Sequence, residues 1–413
     1  MNLYIFNETD KAAVYGIGTY VRELMQALRD CCDINIRIIH LASACEEFEI
    51  ATTNHVETWY IPIAQYNNHS MDEMQKMESY YRNVVYLLRL YIKDTKDLIF
   101  HFNYNYSQLL ARELKEAFNC KTIMTIHYTK WQLEFHGDLN RLHMLKSKTN
   151  NQRDLNEQRM YNLHEYESIM IKEVDQVIAL SQHMKHLLET EYQLDPDKIS
   201  LIFNGINDIQ PIQINDRKIL RRKWNISDKE SIILFVGRLD PIKGLIFLMR
   251  AFRKVLKKHP KCRLMIAGGG NYDTYLQEAK GICTKVTFTG LLEKKDLYEL
   301  YRIADVGVVP SLFEPFGYVA IEIMMHRLPI VATATSGLNE VVDDTCGLKV
   351  PLTTESDNVM IDTNLLAEKI LYLLQNPNER KRVGDNARKR YEELYSSEVF
   401  RKNMLNFYNS LFD

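Results

Sequence analysis

Along most of this chain, short apolar runs alternate with stretches whose apolar residues recur every three or four positions, the pattern of strands alternating with helices that pack on them. Residues 3–6 predict a strand and 17–28 a helix. Further strands are expected at 34–41, 56–63, 97–102, 122–127, 176–180 and 198–203, with helices at 71–92, 108–118, 155–173 and 182–190. A polar run at 146–159 reads as an exposed loop, and Pro211 and Asn215 mark a connection. A second set begins with a strand at 231–236. The helix at 245–259 carries Leu245, Leu248, Met249, Phe252, Val255 and Leu256 on one face, so a sheet is expected beneath it. Strands at 263–267, 285–289, 306–309, 329–334 and 347–350 follow, mostly with helices between them. Residues 363–395 are helical, and Ser396-Ser397-Glu398 introduces a last helix to Phe412. Strands joined by helices imply parallel sheets with right-handed crossovers. The expected class is α/β, two doubly wound Rossmann-like domains facing a cleft and joined near 207–228, related by architecture and not by any sequence repeat.

The bulk numbers agree with that division. A chain of 413 residues is too long for one ordinary core. It is 46% hydrophobic and 26% charged, with a net charge of -2, so no global field recruits nucleic acid or acidic lipid. Seven cysteines without a Cys-x-x-Cys suggest neither a zinc site nor a disulfide framework, and point to a reducing compartment. The first apolar run is too short for a signal peptide, and none approaches the roughly 18 residues of a membrane span. A cytoplasmic protein is expected.

Candidate chemistry concentrates at strand ends. The segment 310–322 places Glu314 on a strand-to-helix loop and Glu322, eight positions on, about two turns down the helix. The bland reading is two surface glutamates, but Ala320, Ile321, Ile323 and Met324 around Glu322 are apolar, and a carboxylate there is costly without a partner. In 235–244 a strand ends at Gly237, a turn carries Arg238 and Lys243, and a helix starts at about Gly244. Two cations at a helix N-terminus suit an anion, although a solvated turn would also explain them. Gly16 and Gly18 follow the first strand without completing a dinucleotide fingerprint, since Val21 stands at the third glycine position. Gly268-Gly269-Gly270 reads as a tight turn. His127 ends a strand at the edge where open α/β sheets bind ligands. Asn204-Gly205 reads as a turn between the halves.

Together these motifs resemble the retaining, nucleotide-sugar-dependent glycosyltransferases of family four, with the glycosyltransferase-B fold. The carriers are Gly237-Arg238, Lys243-Gly244, Ser311-x-x-Glu314-Pro315-Phe316-Gly317, Glu322, Gly16-x-Gly18, His127, Ser181 and Asn204-Gly205. The resemblance spans nearly the whole chain and is strongest over 231–350. It implies an acceptor domain over 1–206, a donor domain over 207–395 and a helix over 396–413 crossing back to the first, as a hinge strap for closing the cleft. Arg238 and Lys243 would neutralise the donor diphosphate, and Glu322 would take the ribose hydroxyls. Glu314 and Pro315, with the N–H groups of Phe316 and Gly317, would hold the donor sugar. Gly16 and Gly18 would contact phosphate, His127 would lie near the sugar, and the base would pack near Leu291 and Leu292.

The implied reaction moves a hexosyl group to an acceptor hydroxyl with retention. It uses a nucleotide-sugar co-substrate, a UDP-sugar before a GDP-sugar, with no other cofactor and no metal. The acceptor is open among a saccharide, a lipid-linked glycan and a peptide. Peripheral contact with the inner membrane face is open as well, since residues 141–159 carry five basic and two acidic side chains, which a solvated loop explains equally. Tyrosines 80, 81, 86, 91, 104 and 106 suit either an acceptor surface or core packing. Two other readings are a non-catalytic sugar-nucleotide-binding subunit, which loss of Arg238, Lys243 or Glu314 would favour, and a sugar-nucleotide epimerase, whose acid and base residues have no candidates here. Three positions depart from the family pattern: Tyr15 and Ser336 where glycines are usual, and Tyr128 where aspartate is common.

Overall fold

The structure, a computed structural model, describes residues 1–8, 16–53, 56–63, 73–103, 108–208, 215–355 and 358–412. Tyr15, Tyr104, Tyr106, Pro211 and the first two residues of the helix expected at 71–92 lie outside them. The chain forms two compact units, Met1–Asn204 with Phe400–Asp413, and Gly205–Val399.

The first unit runs β1 (Asn2–Glu8), α1 (Gly16–Leu28), β2 (Asn35–Ser43), β3 (Glu49–Thr53), β4 (Val56–Pro62), α2 (Glu73–Tyr91), β5 (Leu98–Phe102), α3 (Gln108–Ala117) and β6 (Cys120–Ile126). It continues through α4 (Lys130–Glu134), α5 (Leu139–Ser147), α6 (Leu155–Glu173), β7 (Gln176–Ala179), α7 (Gln182–Thr190) and β8 (Ile199–Leu201). The sheet order is β3-β4-β2-β1-β5-β6-β7-β8, parallel throughout except for the β3–β4 hairpin at its edge. The central strands are buried on both faces, and β5 is covered at every position, which is why these segments read as near-continuous apolar runs.

Two expectations fail here. Fully exposed β3 has no buried face, so no apolar alternation marked it. The polar run over 146–159 opens on the end of α5, which was not expected, and carries a short 3-10 turn over Asn150–Gln152; α6 then starts at Leu155 as expected, behind an Asp154 capping box. Only Leu142 and Leu145 of α5 are buried, too few for a helical period to stand out. The tyrosines of α2 divide: Tyr81 is buried and Tyr80 accepts a hydrogen bond from Ala42 N at 2.7 Å, whereas Tyr86 is exposed and Tyr91, though its ring meets Phe48, is exposed as well.

The second unit runs α8 (Asn215–Lys223), β9 (Ser231–Val236), α9 (Leu245–Lys258), β10 (Cys262–Ala267), α10 (Asp273–Glu278), β11 (Val286–Gly290), α11 (Lys294–Ile303) and β12 (Val306–Val309). There follow α12 (Tyr318–Met325), β13 (Ile330–Ala334), α13 (Leu338–Val341), β14 (Gly347–Glu355), β15 (Asn358–Ile361), α14 (Thr363–Gln375), α15 (Pro377–Arg390) and α16 (Ser397–Asn409). Its sheet order is β11-β10-β9-β12-β13-β14-β15, with only β15 antiparallel. The apolar face of α9 is buried as its spacing requires, with Leu256 half-buried at the margin. Phe400 and the residues after it pack in the first unit, where Tyr408 is fully buried.

In both sheets the strand order reverses beside the first strand of the unit, between β1 and β5 and between β9 and β12. Connections leave such a switch point in opposite directions, opening a crevice at the carboxyl ends of the strands where ligands bind. Arg238 follows β9 and Glu314 follows β12, so both strong sequence motifs stand at the switch point of the second unit.

Candidate active site

Asp240 opens the first motif as a local cap. Its carboxylate accepts from Ile242 N at 3.0 Å, and Pro241 supplies a preset φ for the 3-10 turn that ends at Lys243. Gly244 then adopts φ 66°, and a Cβ on it would lie 1.8 Å from the carbonyl oxygen of Pro310. Only glycine permits this approach, which brings the start of α9 directly against the second motif. A backbone bond from Leu312 N to Ile242 O at 2.8 Å ties the two loops together.

The second motif is held from its far side as well. Thr333 and Thr335 at the end of β13 donate their hydroxyls to the carbonyls of Ser311 and Leu312, and Leu338 N donates to Glu314 O. Lys243 Nζ meets Glu314 Oε2 at 2.6 Å, and Ser311 Oγ donates to the same oxygen at 3.2 Å. Both charged side chains are largely covered, at 22% and 16% exposed, so the pair is better shielded from water than a surface ion pair. Arg238 is 45% exposed, with its guanidinium 3.6 Å from Asp240. Pro315 is half-buried and Phe316 buried, the latter with its ring edge-on to Tyr318 and Tyr395. Among the described residues no carbonyl accepts from the N–H groups of Phe316 and Gly317 at the start of α12.

Because α12 begins only at Tyr318, Glu322 sits about one turn into it, not two. It is 8% exposed and has the partner its apolar surroundings require: the fully buried Tyr301 hydroxyl donates to Oε2 at 2.7 Å. Burial, reinforced by the adjacent carboxylate, pushes the Tyr301 phenol well above its ordinary range, so it remains a donor. Tyr301 lies 21 positions upstream on α11, and no spacing rule connects it to Glu322.

The triple glycine, read as a mere tight turn, is a wall of this site. A Cβ on Gly268 would lie 1.8 Å from Gly237 O, and Gly237 N and Leu239 N donate to Ala267 O and Gly269 O. Gly268 N reaches Gly290 O, placing exposed Leu291 and half-buried Leu292 beside the turn that carries Arg238. The second unit therefore assembles Gly237, Arg238, Lys243, Glu314 to Gly317, Glu322 and Leu292 on the carboxyl edge of one sheet. Ser336 keeps a left-handed φ of 42° at the position where the resemblance implies glycine, the residue that adopts this conformation without strain.

Gly16, Gly18 and His127 belong to the first unit. Gly16 is exposed at the start of α1 and Gly18 is buried. His127 follows β6, with its ring 4.8 Å from the edge-on ring of Tyr20 and its Nε2 3.2 Å from Asn103 Oδ1. Behind it the Tyr20 hydroxyl meets Thr125 Oγ1, which also meets His101 Nε2, while His101 Nδ1 meets the Tyr408 hydroxyl of α16 at 2.8 Å. Burial holds both imidazoles at about 3, against an ordinary 6.5, so both are neutral. Asn103, His101 and Tyr20 were missed because nothing in their local sequence distinguishes them. Ser181 caps α7 by accepting from Met184 N, and Asn204 is buried.

Known proteins share this fold. A family model described as glycosyl transferases group 1 matches residues 216–390, and one described as glycosyltransferase family 4 matches residues 14–209. An uncharacterized glycosyltransferase of Methanocaldococcus jannaschii is 34% identical over 255 residues, 60% of this chain and 63% of the relative. A D-inositol 3-phosphate glycosyltransferase of Mycobacterium sp. is 31% identical over 186 residues, 43% of this chain and 41% of the relative. The matches thus span less than two thirds of these relatives' own lengths. Among solved structures, sucrose-phosphate synthase from Thermosynechococcus elongatus superposes with a TM-score of 0.77 at 24% identity, covering 100% of this chain and 99% of that one. Anabaena HepE in complex with UDP and glucose superposes with a TM-score of 0.71 at 17% identity, covering 99% of each chain. The chain belongs to the group 1, family 4 glycosyltransferases and has the glycosyltransferase-B fold.

Proposed function

We propose that this protein transfers a hexosyl group from a nucleotide diphosphate sugar to an acceptor hydroxyl, with retention of configuration and without a metal. The observation that carries the reading is the joining of two cation-bearing and carboxylate-bearing loops at one switch point, where Lys243 already holds Glu314 at 2.6 Å. In the free protein the two charges satisfy each other. A bound donor would exchange that pair for two better-matched contacts, diphosphate on Lys243 and Arg238, and sugar hydroxyls on Glu314 and the N–H groups of Phe316 and Gly317.

The bond from the sugar anomeric carbon to the diphosphate oxygen breaks through an oxocarbenium-like state, and negative charge gathers on the leaving group. Fixed cations aimed at that charge lower the barrier more than they stabilise the ground state. The acceptor hydroxyl attacks from the face the diphosphate leaves, and its proton passes to a departing phosphate oxygen. No protein nucleophile is required. Glu322, oriented by the Tyr301 hydroxyl, would accept hydrogen bonds from the ribose. Uridine is the favoured base, supported by the binding of UDP to the structurally similar Anabaena HepE. A lipid-linked acceptor draws support from two exposed apolar side chains, Met144 on α5 and Leu155 at the start of α6, 63% and 92% exposed.

Diphosphate release should be measured over a panel of UDP- and GDP-sugars, with and without saccharide, lipid-linked and peptide acceptors, and with EDTA. Acceptor-dependent release that EDTA leaves unchanged, giving a product of the donor's anomeric configuration by NMR, is the expected result. Failure of every nucleotide sugar to bind, or an inverted product, would overturn the reading. No described helix is long and apolar enough to cross a membrane, so contact with anionic vesicles is a separate measurement.

A further inference from the structure

Asn103 stands just past the end of β5, 2% exposed, between β1 and His127. Its amide has two ends with opposite demands. Nδ2 donates to the carbonyl oxygen of Phe6 at 3.3 Å, and Oδ1 faces His127 Nε2 at 3.2 Å. A backbone carbonyl can only accept, so the amide cannot be turned the other way, and Oδ1 must be the end that meets the imidazole. A carbonyl oxygen in turn requires a donor opposite it. Nε2 therefore carries the hydrogen, and in a neutral ring Nδ1 must hold the lone pair.

The ring plane is held independently. The Tyr20 ring packs edge-on to His127 at 75° between planes, and Tyr20 is anchored through Thr125 to His101 and on to Tyr408. Among the described residues nothing bonds to His127 Nδ1. The titratable groups that face the imidazole are Tyr20 from α1 and His101 from β5. Both are neutral across the working range, since burial raises the phenol and lowers the second imidazole.

We propose that Asn103 is a positioning residue, which holds His127 as the neutral Nε2–H tautomer so that Nδ1 offers a lone pair to a hydroxyl of the transferred sugar. The tautomer follows from the first unit alone; the identity of the hydroxyl rests on the glycosyl-transfer reading above. The arrangement suits that chemistry. An imidazolium beside a sugar that becomes oxocarbenium-like would repel the developing charge at low dielectric. A neutral acceptor instead leaves electron density on the ring oxygen and carbons.

Nitrogen-15 NMR of histidine-labelled free protein tests the tautomer without any donor. The His127 resonances are those lost in His127→Gln. The expected spectrum from pH 5 to 8 is a neutral Nε2–H ring. Asn103→Ala should release it into a tautomer mixture, and Asn103→Asp should raise its titration by about a unit or more, through a carboxylate at hydrogen-bond distance. A His127 carrying its hydrogen on Nδ1, or a spectrum unchanged in Asn103→Ala, overturns the proposal.

In turnover, Asn103→Ala should lower kcat about tenfold or more, with the nucleotide-sugar KM within about twofold. Asn103→Asp should retain turnover at high pH and lose it as pH falls through the raised titration, which a merely structural lesion would not produce. If Asn103→Ala disturbs the tautomer but not kcat, the positioning role is overturned. If the wild-type chain turns over no nucleotide sugar, the function reading fails, and the tautomer is judged by the spectrum alone.

Discussion

The two switch points are built on opposite electrostatic plans. In the second unit the functional groups are charged and satisfy one another: Lys243 with Glu314, and Glu322 with the Tyr301 hydroxyl. In the first unit they are neutral: His127 and His101 are held uncharged by burial and bonded to an amide, hydroxyls and ring edges. The difference teaches how one fold can build two kinds of polar site at the same topological position. Paired charges can be exchanged for the charge of a ligand. A neutral buried network cannot adapt, but it presents one fixed pattern of donors and acceptors.

The comparison breaks most visibly at Lys243. Lys243→Ala leaves Glu314 shielded without its cation and removes the charge proposed to meet the leaving group. Its kcat should fall by about 10²–10³-fold, the scale of losing one preorganised transition-state contact, as read by acceptor-dependent diphosphate release. A fall of less than about threefold would place the leaving group elsewhere.

Next in size, the two carboxylates should separate. Glu322→Ala should weaken nucleotide binding about ten- to a hundredfold by calorimetry, the loss of hydrogen bonds to a charged acceptor. Glu314→Ala should act mainly on kcat if, as proposed, its ligand is the sugar being transferred. Equal effects on nucleotide affinity alone would contradict this division of work.

Acid tests the neutral plan. His101 and His127 titrate at about 3 when folded against an ordinary 6.5. As pH falls below about 6.5, the unfolded chain takes up protons that the folded chain refuses. Stability is full above that value and declines through the window down to about 3, by roughly 1.4 kcal/mol per pH unit for each such histidine at the steepest. His164 and His326, lowered to about 4 by burial, add to the same slope. Thermal melts at pH 7.5, 6 and 5 should show a steadily falling Tm, and a flat Tm would mean that these rings are accessible to protons.

The smallest effect sharpens the second unit's backbone. Ser336→Gly removes a Cβ from a left-handed residue and should stabilise by up to about 1 kcal/mol, read as a Tm gain of a few degrees or less with kcat unchanged. A lower Tm would show that the Ser336 hydroxyl matters more than the strain.

Much of the second unit was legible before folding because its function rests on short-range patterns. Asp240-Pro241 before Lys243-Gly244, and Glu314-Pro315-Phe316-Gly317 before an apolar helix, each specify a turn, a cap and a charge within a few residues. Parallel strands with buried centres, such as β9 and β12, announce themselves as apolar runs. By contrast, β3 and α5 were missed because an exposed edge strand and a helix with two buried leucines bury too little to impose a period. The triple glycine was undervalued because a close approach between backbones leaves no trace except the absence of a side chain.

By itself the sequence determined the order of most strands and helices, the α/β class and the identity of the charged loops, since these follow from local periodicity, turn chemistry and motif spacing. Only the tertiary structure decided which groups meet. It set Gly244 beneath Pro310, joined loops some seventy residues apart through Lys243 and Glu314, gave Glu322 its phenol, and chained Tyr408 through His101 and Thr125 to Tyr20 beside His127. The physical reason is that a buried polar group must find a partner, but nothing local says which one. The strand order chooses it by bringing distant strand ends to the same edge of a sheet.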